Sequence, residues 1–162
     1  MATSPSTNQL DATELEAWRG MLRVHRELTG RLDAELIAEH GIALSAYEVL
    51  LFLTDAPDGK LRMSDLAARL LLSRSGLTRL IDRLEKAGFV GREPCADDGR
   101  GWFALITPEG AEKLRAARVT HLDGVRRHFL SRVERGEQRV LGDVFTRVLE
   151  AESRDRDWRD RD

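Results

Sequence analysis

The chain has 162 residues, of which 41% are hydrophobic and 33% charged, and its net charge is −2. That length suits one domain, or one domain extended by a dimerisation element; without a run of about 18 apolar residues or a signal-like N-terminus, we expect a cytoplasmic protein that lies outside membranes. The single cysteine, Cys95, excludes an intramolecular disulfide and a zinc cluster built from cysteines.

Positive charge is concentrated in one part of the chain. Residues 73–92 contain five basic and two acidic side chains, a local net charge of 5 − 2 = +3. The net charge by itself gives no indication of nucleic acid, but positive charge is concentrated in this stretch. The basic residues are Arg74, Arg79, Arg83, Lys86 and Arg92, and the acidic ones are Asp82 and Glu85.

The first predicted element is a long amphipathic helix that follows a Ser-, Thr- and Pro-rich segment, residues 1–10, expected to be disordered. Asp11 and Glu14 have the spacing of a capping box. Gly41 is the residue type that ends a helix in the left-handed conformation. Apolar residues between them follow at steps of three and four, and include Leu15, Trp18, Leu22, Leu32 and Leu36.

A second helix is predicted soon after Gly41. Ser45 and Glu48 repeat the capping-box pattern ahead of an apolar run at residues 49–53. Residues 55–59 supply turn chemistry and end the helix. The three residues that follow are long enough only for a small strand.

Two short helices joined by a tight turn come next. Ser64 is predicted as the N-cap of the first, and Ser75 opens the second, which Gly88 ends. The second short helix has apolar residues at i, i+3, i+4 and i+7, which leaves Arg79 and Arg83 outside its buried face. The apolar positions are Leu77, Leu80, Ile81 and Leu84.

The segment after Gly88 predicts a β-hairpin. Residues 97–101 provide turn chemistry, and residues 102–106 are rich in strand-forming side chains. Two short helices followed by a hairpin are the order of a winged helix-turn-helix, and that order is more specific than any single piece. We therefore expect a mainly α fold with a small β wing, in which residues 45–107 form a DNA-binding lobe.

Two long helices complete the chain. A strong helix start at residues 107–109 predicts a helix that reaches about residue 133. A last helix has paired apolar residues every four positions, and residues 151–162 form a charged tail. The apolar stripes of the terminal helices are too extended for a small lobe to bury, which predicts a helical dimerisation platform. That platform is assigned to residues 11–40 and 108–150 of a single domain over residues 11–150.

Three stretches of the sequence resemble the MarR family of bacterial transcription regulators. Residues 63–70 resemble the first helix of that family's helix-turn-helix, and residues 73–88 are similar to its recognition helix. The Asp-Gly-Arg run of residues 98–100, followed by Ile-Thr-Pro-Glu-Gly at residues 106–110, resembles the wing motif and the next helix start, with Ile in place of Leu. The resemblance covers residues 11–149.

This resemblance implies a set of contacts with duplex DNA. Arg100 would enter a narrow minor groove, where negative potential is concentrated, and Asp98 would hold the wing by pairing with an arginine. Arg79 is the expected bidentate partner of guanine in the major groove, while Arg83 and Arg92 are expected at phosphates. The predicted DNA contacts are Ser64, Arg74, Ser75, Thr78, Arg79, Arg83, Arg92, Asp98 and Arg100.

Alternatives stay open for these contacts. An isolated Asp-Gly-Arg usually makes only an exposed turn, and the second short helix is compatible with a solvated face that Asp82 and Glu85 neutralise. A winged module that binds protein and no DNA is the alternative function. The sequence has no glycine-rich phosphate loop, nucleophile motif or metal-ligand cluster, so we expect neither an enzyme nor a cofactor.

The resemblance further implies a homodimer that places two recognition helices about 34 Å apart on a palindromic operator. We expect a repressor released by a small aromatic or anionic effector, although activation stays open. Trp18, His25, Arg26 and Tyr47 are the candidates to line the effector site. His25 also has two simpler interpretations, a core histidine bonded to a carbonyl or one exposed at the helix edge.

Cys95 and the remaining histidines give no further site. Reactive cysteines of some family members lie near the start of the first helix, whereas Cys95 lies in the predicted wing, so an inert thiol is expected. His121 and His128 are seven residues apart on one helix, about 10 Å along its axis, which is too far for one metal ion.

Overall fold

A computed structural model describes residues 9–95 and 101–159, with side chains as far as residue 150. This part is mainly helical and carries one small antiparallel sheet, so the predicted fold class is confirmed. The helices are α1 (Ala12–His40), α2 (Leu44–Asp55), α3 (Met63–Arg69), α4 (Arg74–Lys86), α5 (Pro108–His128) and α6 (Arg135–Arg159). The strands are β1 (Lys60–Arg62), β2 (Val90–Pro94) and β3 (Trp102–Ile106), and 3₁₀ turns occupy Pro57–Gly59 and Leu130–Arg132.

Both predicted ends of α1 are confirmed. Asp11 Oδ1 accepts a hydrogen bond from the Glu14 amide at 2.9 Å, and Glu14 Oε2 accepts one from the Asp11 amide at 2.8 Å. Gly41 ends the helix at φ 68°, and its N–H donates to the Ile37 carbonyl. Of the predicted apolar stripe only Leu32 and Leu36 are buried, while Trp18 and Leu22 remain exposed.

The predicted capping box of α2 is wrong. The N-cap is Ala43, and the cap makes no side-chain hydrogen bond of its own. Asp33 of α1 replaces it, because its Oδ1 accepts from the Leu44 amide at 2.7 Å. A carboxylate from the preceding helix therefore satisfies one of the free N–H groups at the start of α2.

The two short helices begin one or two residues earlier than predicted. Arg62 is the N-cap of α3, so Ser64 lies inside the first turn and is not the cap. Ser73 caps α4 by accepting from the Gly76 amide at 3.1 Å. Leu71, in the turn between the helices, has φ 53° and is 84% exposed.

The sheet closes the lobe in the order β1–β3–β2. β3 pairs antiparallel with both neighbours, from Lys60↔Leu105 on one side and Val90↔Ile106 on the other. The predicted hairpin and small strand are therefore both present. One core joins these elements, and its fully buried large members include Leu36, Leu50, Leu53, Leu66, Leu77, Ile81, Val49 and Val90.

The start of α5 is fixed to the end of α4. Thr107 Oγ1 accepts from the Gly110 amide at 3.0 Å, as its predicted capping role requires, and donates to the Gly88 carbonyl at 2.7 Å. The Thr107 N–H also donates to the Phe89 carbonyl at 3.1 Å. A Cβ on Gly110 would lie 2.1 Å from that carbonyl oxygen, so only glycine allows this approach.

The chain divides into two compact units, residues 1–123 and 124–162. In the second unit α5 ends at His128, earlier than predicted, and a 3₁₀ turn precedes α6. Gln138 Nε2 donates to the Val133 carbonyl at 2.9 Å and steadies that junction. The segment predicted as a charged tail is helical as far as Arg159.

No single helix of the described residues has the length and apolar character needed to cross a membrane. α1 and α2 together meet those two criteria, but only as a pair bent by 84°.

Candidate nucleic-acid interface

The two faces of α4 differ sharply in burial. Leu77, Leu80, Ile81 and Leu84 pack into the core and fix the helix against the lobe. The opposite face projects into solvent, which is the arrangement a helix needs to enter a groove of DNA. Its exposed side chains are Arg74, Ser75, Thr78, Arg79, Asp82, Arg83, Glu85 and Lys86.

Two hydroxyl groups lie near the start of α4. Thr78 is exposed, and its Oγ1 donates to the Arg74 carbonyl at 2.9 Å, which leaves the lone pairs of that oxygen able to accept. Ser75 Oγ lies 3.2 Å from the hydroxyl of the N-cap, Ser73. Both predicted hydroxyl contacts are therefore exposed at the end of the helix where the dipole favours negative charge.

The acidic residues of α4 pair with β2 and not with the arginines of their own helix. Arg92 Nη2 lies 2.5 Å from Asp82 Oδ1, and Arg92 Nη1 lies 3.3 Å from Glu85 Oε2. Arg79 and Arg83 make no ion pair with any described residue. The ion pairs therefore do not support the alternative in which Asp82 and Glu85 neutralise the arginines of α4.

A groove of about 590 Å³ runs between α3, α4 and the base of the hairpin. It brings together four predicted contacts, Ser64, Arg74, Thr78 and Arg92, while Arg79 and Arg83 are not among its lining residues. The other residues that line it were not predicted as contacts, and two of them have large side chains suited to DNA. Arg62 and Trp102 line it as well.

The signal that could have identified Arg62 as a lining residue is the small strand predicted for residues 60–62. It directly precedes α3, and in the structure its guanidinium lies 5.5 Å from the centre of the Phe103 ring. Lys60 lies over the same ring at 5.1 Å and pairs with Glu93 at 2.5 Å. The hydrogen bond to Glu93 raises the pKa of Lys60, so the cation of this edge strand is firmly protonated.

The two wing residues, Asp98 and Arg100, lie outside the described residues, and their roles stay predictions. The hairpin is closed up to that point by the pairing of Pro94 with Trp102 and by a hydrogen bond from the Cys95 amide to the Gly101 carbonyl at 2.9 Å. Cys95 itself is buried.

The four candidate effector residues occupy different environments. Tyr47 is buried, and burial raises the pKa of its hydroxyl. Trp18, His25 and Arg26 are exposed on α1, so the core interpretation of His25 is wrong for the isolated chain and the helix-edge one holds. Burial also raises the pKa of Glu48, an effect that the charge of His25 opposes.

His121, which the sequence predicted to lie too far from His128 to share a metal ion, is a neighbour of Tyr47. The two rings stack with centroids 4.4 Å apart and an interplanar angle of 29°. Burial, helped by the nearby Arg118 cation, lowers the pKa of His121 below 6.5. Its Nδ1 is buried and has no hydrogen-bond partner among the described residues.

Metal-ligand geometry is not found in the part of the chain that the structure describes. No group of three His, Cys, Asp or Glu side chains there is placed to hold an ion.

Comparison with known proteins identifies the family. A sequence profile described as MarR family matches residues 40–101. AbsC, a MarR family transcriptional regulator from Streptomyces coelicolor, is 36% identical, and its crystal structure matches 91% of this chain and 99% of its own with a TM-score of 0.82. Sco3205 of the same organism, solved in complex with DNA, is also 36% identical and matches 89% of this chain and 91% of its own at a TM-score of 0.82.

The similarity extends to a curated protein of Bacillus subtilis. The HTH-type transcriptional repressor YetL is 25% identical over 142 residues, which are 86% of this chain and 84% of YetL. Proteins of the MarR family regulate transcription and are not enzymes. With its helix-turn-helix, its three-stranded sheet and these matches, the chain belongs to the MarR family and is a DNA-binding transcription regulator.

Proposed function

We propose that the protein is a homodimeric repressor that binds a palindromic operator and is released by a small aromatic or anionic effector. One observation carries the DNA-reading part of this proposal. The buried face of α4 is locked into the core, while three arginines on the same helix are exposed and unpaired with any described residue: Arg74, Arg79 and Arg83.

Each contact is given a role by its position on the lobe. Arg79, near the middle of the exposed face, binds guanine in a bidentate manner, and Arg83 binds a phosphate. Arg100 enters the minor groove, with Asp98 holding the wing. The remaining contacts lie at the start of α3 and α4, where free N–H groups favour phosphate: Ser64, Arg74, Ser75 and Thr78.

Selection of DNA fragments by the purified protein tests this function, because it reports both binding and the symmetry of the site. Arg79→Ala should relax base preference at one position of each half-site, a discrimination of about 1–3 kcal/mol. Arg100→Ala should weaken binding without unfolding the protein. Arg115→Ala, an exposed arginine of α5, is the matched control and should leave the selected sequence unchanged. Failure of the wild type to bind any duplex at low salt would refute DNA binding.

Exposed apolar side chains on α1 and α6 support the homodimer. Trp18 and Leu22 on α1, and Phe145, Val148 and Leu149 on α6, are all at least 40% exposed. Exposed apolar side chains that recur along one helix usually mark an interface.

A charge among the exposed apolar residues of α6 should separate the two chains of the dimer. Val148→Asp should give a monomer in light scattering, because association would bury an unpaired charge. Thr146→Asp, which adds the same charge at an exposed polar position of α6, is the control and should stay dimeric. A dimeric Val148→Asp protein would contradict the placement of α6 in the interface.

The effector is proposed to contact Tyr47, His25, Arg26 and Trp18. Trp18 is exposed and offers an aromatic face, and Arg26 offers a positive charge to an anion. Benzoate and neutral benzamide, added to a preformed complex of protein and selected DNA, distinguish the two parts of this chemistry. Release by benzoate alone supports an anionic aromatic ligand, and Arg26→Ala, at an exposed position, should abolish it. No release by either compound counts against this ligand class.

A further inference from the structure

Arg92 makes contacts that no phosphate-binding role explains. Its guanidinium lies between two carboxylates of α4, Asp82 at 2.5 Å and Glu85 at 3.3 Å, and Nη2 also reaches the Thr78 carbonyl at 3.5 Å. The Arg92 side chain is only 23% exposed, less than either of its partners. Its Nε is buried, with no hydrogen-bond partner among the described residues.

The strand β2 holds Arg92 in this position. Val90, two residues earlier, is buried in the core, and Arg92 itself pairs in register with the buried Ala104 of β3. The cation is therefore presented to α4 from a rigid element.

The carboxylate of Asp82 lies where it would oppose DNA binding. It stands three residues after Arg79 and four after Thr78, so all three side chains share one face of α4. A free carboxylate among phosphates is repelled by each of them, and an unpaired acidic group facing a base edge loses its hydration. Pairing this carboxylate with a cation therefore favours DNA binding by this face of α4.

We propose that Arg92 is a positioning residue for DNA recognition, one that pairs with Asp82 and Glu85, offsets part of their charge and does not itself touch DNA. This inference rests on the proposed function. It replaces the phosphate contact that the sequence predicted for Arg92. With both carboxylates occupied from β2, the charge that α4 offers to DNA comes from Arg74, Arg79, Arg83 and Lys86.

Removal and restoration of the charge balance tests this role. Affinity is measured by gel shift for the DNA that the wild type selects, using the full-length protein. Arg92→Met should bind about tenfold more weakly, because two uncompensated carboxylates then face the phosphates. Adding Asp82→Asn and Glu85→Gln to that variant should return affinity to within about twofold of wild type. Arg92→Lys, which keeps the charge, should lose less than Arg92→Met.

The outcomes separate the two roles of Arg92. If the triple variant stays as weak as Arg92→Met, the lost group is a DNA contact and the inference is wrong. Wild-type affinity in Arg92→Met would overturn it as well. Because every comparison is made among variants of a protein whose wild type binds the selected DNA, these failures are distinct from a failure of DNA binding itself.

A variant that keeps Arg92 provides a second test, independent of whether Arg92→Met folds. Asp82→Asn with Glu85→Gln frees the guanidinium in an otherwise intact lobe. Binding should tighten, and the slope of log affinity against log salt should steepen by about 0.9, the value for one added phosphate contact. Unchanged or weaker binding would overturn the proposal. Circular dichroism of each variant confirms that the helices are retained.

Discussion

The lobe and the helix α6 use apolar residues in opposite ways. In the lobe, Leu50, Leu66 and Ile81 are completely buried within one chain. On α6, Val148 is 56% exposed and Leu149 is 64% exposed. Both regions show helical periodicity in the sequence, so periodicity identifies an apolar face without telling whether the same chain covers it. Burial of this kind stabilises the lobe within one chain, whereas the exposed apolar residues of α6 contribute to stability only when another surface covers them.

The largest effect should come from the point where α5 meets the lobe. Gly110→Ala places a methyl group 2.1 Å from the Phe89 carbonyl oxygen, and the backbone has to move. We expect a loss of about 4 kcal/mol or more in the free energy of unfolding, measured by urea denaturation.

A glycine of α6 gives the matched control. Gly136→Ala meets no atom within 4 Å and should be neutral or stabilising by up to about 1 kcal/mol. Equal changes in the free energy of unfolding at the two glycines would contradict the difference in packing between the lobe and α6.

Truncation of a buried leucine should lower the free energy of unfolding by less than Gly110→Ala does. It should do so at every protein concentration. Leu50→Ala leaves a cavity in the core and should lose about 3 kcal/mol. Leu149→Ala should lower the melting temperature only at concentrations where the protein associates. Melting curves recorded over a dilution series distinguish the two, and a concentration-independent loss in Leu149→Ala would place that residue in an intrachain core.

The pH dependence of stability should carry a signal from His121. Because its pKa is lowered from 6.5, the unfolded chain binds more protons than the native one between the lowered value and 6.5. The contribution of neutral His121 is therefore complete above 6.5 and is lost as the pH falls through that window. His121→Phe keeps an aromatic ring against Tyr47 and should flatten the curve there. A wild-type curve that rises on acidification in this window would show the opposite sign.

The smallest effect concerns the turn between α3 and α4. Leu71 adopts a left-handed conformation that disfavours a leucine, and its side chain packs against little. Leu71→Asn should raise stability by about 0.5–1 kcal/mol in thermal melts, because asparagine tolerates that region. Loss of stability would mean that Leu71 makes a contact worth more than the strain.

Three of the local signals in the sequence are confirmed, whereas the capping box predicted for Ser45 and Glu48 and the N-cap predicted at Ser64 are wrong. The capping box of Asp11 and Glu14, the stop at Gly41 and the cap at Thr107 are all present. The end of α5 was misplaced because residues 129–134 contain neither glycine nor proline to mark it. Asp33 capping α2 was missed for another reason: its partner is eleven residues away and belongs to the next helix.

The candidate site shows the same division. The exposed face of α4 follows from the spacing of its four apolar residues, so Arg79 and Arg83 were placed correctly on the surface. The pairing of Arg92 with Asp82 and the stacking of Tyr47 on His121 join separate elements. Such contacts depend on how elements pack, which a one-dimensional pattern does not contain.

The double attachment of Thr107 to Gly88 and Phe89 has a consequence for how this protein can change. The hairpin leaves the lobe and returns to it at two points held together by hydrogen bonds of 2.7 and 3.1 Å. We therefore expect insertions or deletions between β2 and β3 to leave α4 and the start of α5 in place, because closing a somewhat longer loop costs little free energy. The β2–β3 hairpin can therefore differ in length between related proteins while α4 keeps its position.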